Sequence, residues 1–299
     1  MLLYSYGNTS ITLHDVSFIS NTASRGGGLY DMNAFKSKID NVSFIGNSAT
    51  EGGGLYVYAY YNDTHQLNGG QFIGNHAQRG GGVYVDKGTY IFTDVIFENN
   101  DANYGGGLYN AILLSAERTG KPILRQTTFI SNSAVYAGGG LYNTSGAPVL
   151  EGVTFTANHA QDGGGLYNTS AGNDTIPDAG VATLSNTHFI SNSAVAGGGG
   201  LYNTDGTLLL TGARLTANHA ENGGGLYNTG GSTATLTNTL FFSNSASALG
   251  GGLYNQNSIA ALANATLAAN GATLGGAVAN SGGDASLVNS ILWGNTASD

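Results

Sequence analysis

Phe155-Thr156-Ala157-Asn158-His159-Ala160-Gln161-Asp162-Gly163-Gly164-Gly165-Leu166-Tyr167-Asn168 is one copy of a sentence that the chain writes eleven times. Each copy opens on a large apolar anchor: Phe18, Phe44, Phe72, Phe97, Phe129, Phe155, Phe189, Leu215, Phe241, Leu267 and Leu292. Successive anchors lie 25 to 34 residues apart, most often 26. A fixed period of this size indicates a solenoid, a propeller or an array.

The copies share a grammar. Five residues before the anchor stands an aliphatic or aromatic residue, from Leu13 and Ile39 to Leu262 and Leu287. Three before it stands a turn-tolerant residue such as Asp15, Asn41, Gly152 or Asn238, with Gln126 the exception. Three after it is always asparagine: Asn21, Asn47, Asn75, Asn100, Asn132, Asn158, Asn192, Asn218, Asn244, Asn270 and Asn295. Two further on is always alanine, and then comes a glycine run closed by Leu-Tyr or Val-Tyr, with Gly275-Gly276-Ala277-Val278-Ala279 the degenerate copy.

These segments are too short, and too rich in Gly, Asn and Thr, for helices. Apolar residues recur at spacing two, as in Val42 and Phe44 or Val153 and Phe155, which is strand periodicity. Asn, Asp and Gly tolerate the left-handed backbone of a sharp corner. The prediction is an all-β fold: a right-handed, single-stranded parallel β-helix of about eleven coils, with a period of about 26 residues and two or three short strands per coil. Like residues then stack at about 4.8 Å, so the rod is on the order of 50 Å long. The anchors and the leucines before them form a dry core. The eleven asparagines form a ladder, each side-chain amide bonding to the next coil. A buried amide without a partner costs a few kcal/mol, so such a column has to be complete, and it is.

The unbroken period makes residues 1–299 one continuous domain. Both ends fall inside a coil: Leu3-Tyr4 stands before Phe18 as Leu29-Tyr30 stands before Phe44, and the last copy stops at Asp299 before a glycine run. We expect a piece of a longer protein, or ends covered by another chain, because solenoids need their open edges blunted.

Composition narrows the functions. Only 9% of residues are charged and the formal net charge is −9, which disfavours nucleic acid as a partner. Cysteine is absent, so there is neither a disulfide framework nor thiolate chemistry. No basic and apolar leader is visible at Met1–Tyr6, and no run of 18 apolar residues exists to span a membrane as a helix.

Most copies place the next anchor 13 or 14 residues after the tyrosine, but three are longer: Tyr56 to Phe72, Tyr109 to Phe129 and Tyr167 to Phe189. The insertions, Tyr58 to Leu67, Ala111 to Pro122 and Ser170 to Val181, therefore share one corner of the coil. Insertions confined to one face of a repeat protein often mark its binding face, although exposed loops also lengthen neutrally. The candidate binding residues there are Tyr58, Tyr60, Tyr61, Asp63, His65, Asp174 and Asp178. Nine copies end in tyrosine, from Tyr30 to Tyr254. An outward aromatic stripe could stack on sugar rings; the competing reading is that the rings stack on each other. A second asparagine column, Asn110, Asn143, Asn168, Asn203, Asn228, Asn255 and Asn280, reads as structural.

Catalytic chemistry is not legible. A polysaccharide hydrolase needs two carboxylates about 5–10 Å apart, and a lyase needs an acidic calcium site with a base. The acids here are scattered, with Asp162 and Glu221 nearest to a shared register. His76, His159 and His219 occupy one slot, but on coils too far apart to share a zinc ion. The glycine triplets lack the Lys-Ser/Thr of a phosphate loop. No catalytic residue, metal or cofactor is expected.

Phe44-Ile45-Gly46-Asn47 with Gly53-Gly54-Leu55, and Gly275-Gly276-Ala277-Val278, resemble the repeats of chlamydial polymorphic outer membrane proteins. The Gly-Gly-Gly-Leu-Tyr-Asn form, with Val288 to Asn295, is similar to the wider set of bacterial secreted β-helix repeat proteins. The resemblance runs along the whole chain. It implies a passenger on a bacterial cell surface or outer membrane, used as an adhesin or stalk, with a host-cell surface or a glycan as partner. The first expectation is thus a non-catalytic surface or secreted solenoid. The alternatives are a polysaccharide-active β-helix enzyme and a scaffold segment with no ligand.

Overall fold

The computed structural model describes all residues except 6–10, 34–36, 59–63, 112–120 and 171–178. Among the described residues every strand pairing is parallel and no helix occurs. The chain is a β-solenoid, as its period requires. One coil runs through Thr154–Thr156, His159–Asp162, Leu166–Thr169 and Val181–Ser185 before the next anchor strand, His188–Ile190. That is four short strands rather than two or three. The additional break lies three residues before the anchor, where the backbone turns left-handed.

Stacking these strands builds three sheets. The Leu-Tyr segments form an eleven-stranded tyrosine sheet, and the segments around the conserved alanine form a nine-stranded alanine sheet. The remaining strands form a bent sheet with a leucine arm and a phenylalanine arm, continuous through Ser37–Ile45 and Thr64–Ile73 and separate strands elsewhere. Register is strict: Phe129 pairs with Phe155 and Phe155 with Phe189, as Leu141 pairs with Leu166 and Leu166 with Leu201. In the alanine sheet, strands of five residues alternate with strands of four from Ser133 to Leu249, and the extra residue is taken up as a bulge.

The core follows from alternation. Phe44, Phe72, Phe97, Phe129, Phe155 and Phe189 are fully buried, and consecutive rings stack 4.5–4.9 Å apart. Each such side chain contributes about 1.5–3 kcal/mol of burial, so the core rather than the polar ladders supplies most of the stabilisation. The ladder beside it is complete. Asn158 donates from its backbone N–H and its Nδ2 to Oδ1 of Asn192 at 3.0 and 2.9 Å, and from Nδ2 back to the carbonyl of Phe129 at 3.0 Å. The same pattern runs from Asn47 to Asn270. The second column is a ladder too: Asn143 donates to Asn168 and Asn168 to Asn203 at 2.7 and 2.8 Å.

Corners are left-handed at three recurring places. The position three before the anchor has φ between 48° and 66° in Asp15, Asn41, Gln126, Gly152, Asn238 and Gly212, so Gln126 obeys the rule despite its type. The position two after the anchor does the same, even as Ala157, Ala217 and Ala269 at φ 55°. The glycine three residues before the Leu or Val of each Leu-Tyr segment is the third, as in Gly163 at φ 62° and Gly198 at φ 64°. The glycine after it is required for another reason: a Cβ on Gly164 would lie 2.3 Å from the carbonyl oxygen of Ser193 in the next coil.

Candidate functional site

The three insertions leave from the end of the tyrosine strands and rejoin at the start of the leucine arm. Thr64, Thr89 and Lys121 occupy one register there, as do Val181 and Thr207. Tyr60, Tyr61 and Asp63 fall in 59–63, and Asp174 and Asp178 in 171–178, outside the described residues. Tyr58 is half-buried, and the ammonium of Lys87 lies 5.3 Å from its ring centroid.

His65 is placed differently from the expectation of an exposed loop residue. It belongs to Thr64–Ile73, two residues before the inward Leu67, and alternation turns it inside, where it is fully buried. Its Nδ1 lies 2.7 Å from Oγ of Ser37 and 3.4 Å from Oδ2 of Asp31, and Ser37 Oγ donates to Asp31 Oδ2 at 2.6 Å. The ring stacks 5.5 Å from Tyr90. Ser37, His65 and Tyr90 all occupy the position two before an inward residue. Asp31 pairs in register with Leu3 and Val57 and continues the column that becomes the second asparagine ladder from Asn110 onward. Sequence reasoning missed this network, although the spacing to Ile39, Leu67 and Phe92 carried the signal. It is not arranged for nucleophilic catalysis: Ser37 contacts the same imidazole nitrogen that faces Asp31, and all three residues are closed to solvent.

Among the described residues the other acidic and imidazole groups meet at most in exposed pairs, such as His76 with Asp101 and His14 with Asp15. Asp162 pairs in register with Gly197, and Gly197 with Asn222, so Glu221 is out of line with it: Glu221 stands one residue earlier in its own four-residue strand, where the copy of Asp162 has Gln161. Burial raises the Asp162 carboxyl above its ordinary value, against a hydrogen bond from the Gly197 amide. His76, His159 and His219 are exposed on the alanine sheet and contact Asp101, Ser193 and Ser245 of the following coils. Among the described residues no three His, Asp or Glu side chains gather as a metal site would need.

The tyrosines are half-buried or buried, and Tyr84, Tyr109, Tyr142, Tyr167 and Tyr202 stack at 4.9–5.0 Å with nearly parallel planes. The faces of these rings are thus occupied by each other and offer no platform to a sugar. The stack turns edge-on between Tyr202 and Tyr227, where Gly197 leaves room for the Tyr227 ring. Two shallow grooves are lined by polar corner residues. One of about 430 Å³ includes Asn257, Ser258 and Asp284 at the insertion corner, and one of about 420 Å³ includes Asn238, Arg214 and Asn264 at the bend between the arms.

Residues 41–58 match the family model of the Chlamydia polymorphic membrane protein repeat. The match spans Phe44 to Asn47 and Gly52 to Leu55, the two motifs that build the anchor strand and the glycine corner. No curated protein and no solved structure matches the chain. The repeat points to a surface- or outer-membrane-associated protein, and no helix among the described residues is long and apolar enough to cross a membrane. With its stacked anchors and asparagine ladders, the chain is a parallel β-helix repeat protein like those described by the Chlamydia polymorphic membrane protein repeat.

Proposed function

We propose that this chain is a non-catalytic solenoid of the bacterial surface, secreted or surface-held, that adheres to a host-cell surface or a glycan through the segments inserted at one corner. The observation that carries this reading is the contrast between a coil grammar kept from copy to copy, with length varying by one residue in the alanine sheet, and long insertions confined to the tyrosine-to-leucine corner. A rod with constant walls sets the spacing of those segments along one edge, on the order of 10 Å between alternate coils. Tyr58, Tyr60, Tyr61, Asp63, Asp174 and Asp178 are the proposed contact residues. His65 is left out because its side chain is enclosed.

The test is binding of the whole chain to a glycan array and to host cells, beside variants lacking 59–63 or 171–178. Leu67 is fully buried, so the deletions stop short of it. Both variants are expected to melt as the parent does and to bind more weakly. Unchanged binding would remove the segments as the adhesive feature. Absence of any ligand for the parent would favour a stalk that only spaces.

A further inference from the structure

Stacking accounts for the tyrosine column, but it does not account for Asp86. This residue lies beside Tyr84 on the outer side of the tyrosine sheet and is 3% exposed. Its Oδ2 accepts a hydrogen bond from the Tyr56 hydroxyl at 2.6 Å, and its Oδ1 makes no hydrogen bond. Burial raises both the Asp86 carboxyl and the Tyr56 phenol above their ordinary values. A carboxylate short of donors in a poorly hydrated setting is a strong acceptor for the one proton it faces. Among the described residues of the column, Tyr56 is the tyrosine whose hydroxyl donates to a carboxylate. The Arg25 guanidinium lies 5.2 Å from the Tyr56 ring centroid and disfavours positive charge on that ring. An electron can therefore leave Tyr56 readily only if the phenolic proton leaves with it, and Asp86 is placed to take it.

The ring also has a connection to solvent. Tyr136 is 51% exposed. Its ring lies 5.0 Å from Tyr104, and Tyr104 lies 5.5 Å from Tyr142. From Tyr142 the stack runs through Tyr109 and Tyr84 to Tyr56 at 5.0 Å per step. Along this route burial raises the phenols of Tyr142, Tyr109 and Tyr84, and among the described residues none of the three has a carboxylate hydrogen-bonded to its hydroxyl to take the proton, as Tyr56 has.

We propose that the tyrosine stack carries one-electron oxidation from the exposed Tyr136 to the Tyr56–Asp86 pair, where it comes to rest as a tyrosyl radical. The oxidant is an external one-electron acceptor such as a peroxyl radical, which leaves as the peroxide anion. At Tyr56 the phenolic O–H bond breaks, the proton forms an O–H bond on the Asp86 carboxylate, and a neutral phenoxyl radical remains. Asp86 goes from anion to acid, and the electron lost by Tyr56 is the one gained by the oxidant. Tyr56 is 1% exposed, which shields the radical from water and from coupling with another tyrosine.

The experiment is flash oxidation of the full chain by a photogenerated ruthenium(III) polypyridyl complex, followed by electron paramagnetic resonance, with unfolding curves for each variant. The parent is expected to give a long-lived neutral tyrosyl signal. Tyr56→Phe keeps the ring stack and should abolish the long-lived fraction. Asp86→Asn should shorten the lifetime roughly tenfold or more, the factor one hydrogen bond to a charged group is worth. Tyr136→Phe should slow the appearance of the signal and leave its lifetime unchanged. A Tyr56→Phe signal with the parent's yield and lifetime would overturn the proposal, and that comparison decides alone if Asp86→Asn does not fold.

Discussion

Asn158 shows how much one side chain does in this fold. Its amide donates forward to Asn192 and back to the Phe129 carbonyl, while its Oδ1 accepts from the N–H and Nδ2 of Asn132 at 2.9 and 3.0 Å. Asn158→Ala leaves several buried groups of three coils unpaired, each worth about 1–3 kcal/mol, so we expect a loss of about 3–5 kcal/mol in urea unfolding. Its neighbour Ala157 holds φ 55°, a left-handed conformation that costs an L-residue about 1–2 kcal/mol. Ala157→Gly removes that strain at the expense of a more flexible unfolded chain; a net gain of about 0.5–1 kcal/mol is expected from the same measurement. Asp162 is the third case. Its folded-state value is raised, so between the ordinary aspartate value of 3.8 and that raised value the folded chain holds more protons than the unfolded one. Its contribution to stability is thus fully present below 3.8 and falls as pH rises through the window. Asp162→Asn should flatten this part of the stability–pH curve and leave the low-pH end unchanged.

Between elements, the decisive feature is what faces inward where two coils meet. Most inward columns repeat one residue type, and the Asp31–Ser37–His65 network departs from this. Removing one member of a buried hydrogen-bonded network costs about 1–3 kcal/mol for each polar atom left without a partner. We expect His65→Ala to lose stability on that scale in thermal or urea unfolding. Asp31 pairs in register with Val57, so an apolar residue already fits that column one coil on. Asp31→Val combined with His65→Leu should therefore recover most of the loss, and a double variant as unstable as the single one would show that the network does more than fill the column. Half of this was legible in the sequence. Strand alternation places Ser37 and His65 inside, whereas their contact with Asp31 depends on how the corner between two sheets folds.

For the molecule as a whole, stability is expected to be a sum of near-identical coils and their interfaces. Deleting 192–217 joins Ser191 to Asn218 and restores the grammar one coil shorter. The shortened chain should fold with the parent's circular dichroism and scatter as a rod about 5 Å shorter. Deleting half a coil, which puts unlike residues over one another, should abolish folding.

The sequence by itself determined the period, the strand character, the inward columns, the complete asparagine ladder and the corner that takes insertions. It could do so because a solenoid's long-range contacts are one period away, so a one-dimensional repeat encodes its three-dimensional neighbours. Only the tertiary structure decided how many strands a coil contains, that Gln126 and Ala157 turn left-handed, and that His65 is enclosed with Asp31 and Ser37. The physical reason is common to all three. A backbone already committed on both sides imposes its conformation on whatever residue stands at a corner, and contacts across corners join residues that no single periodicity relates.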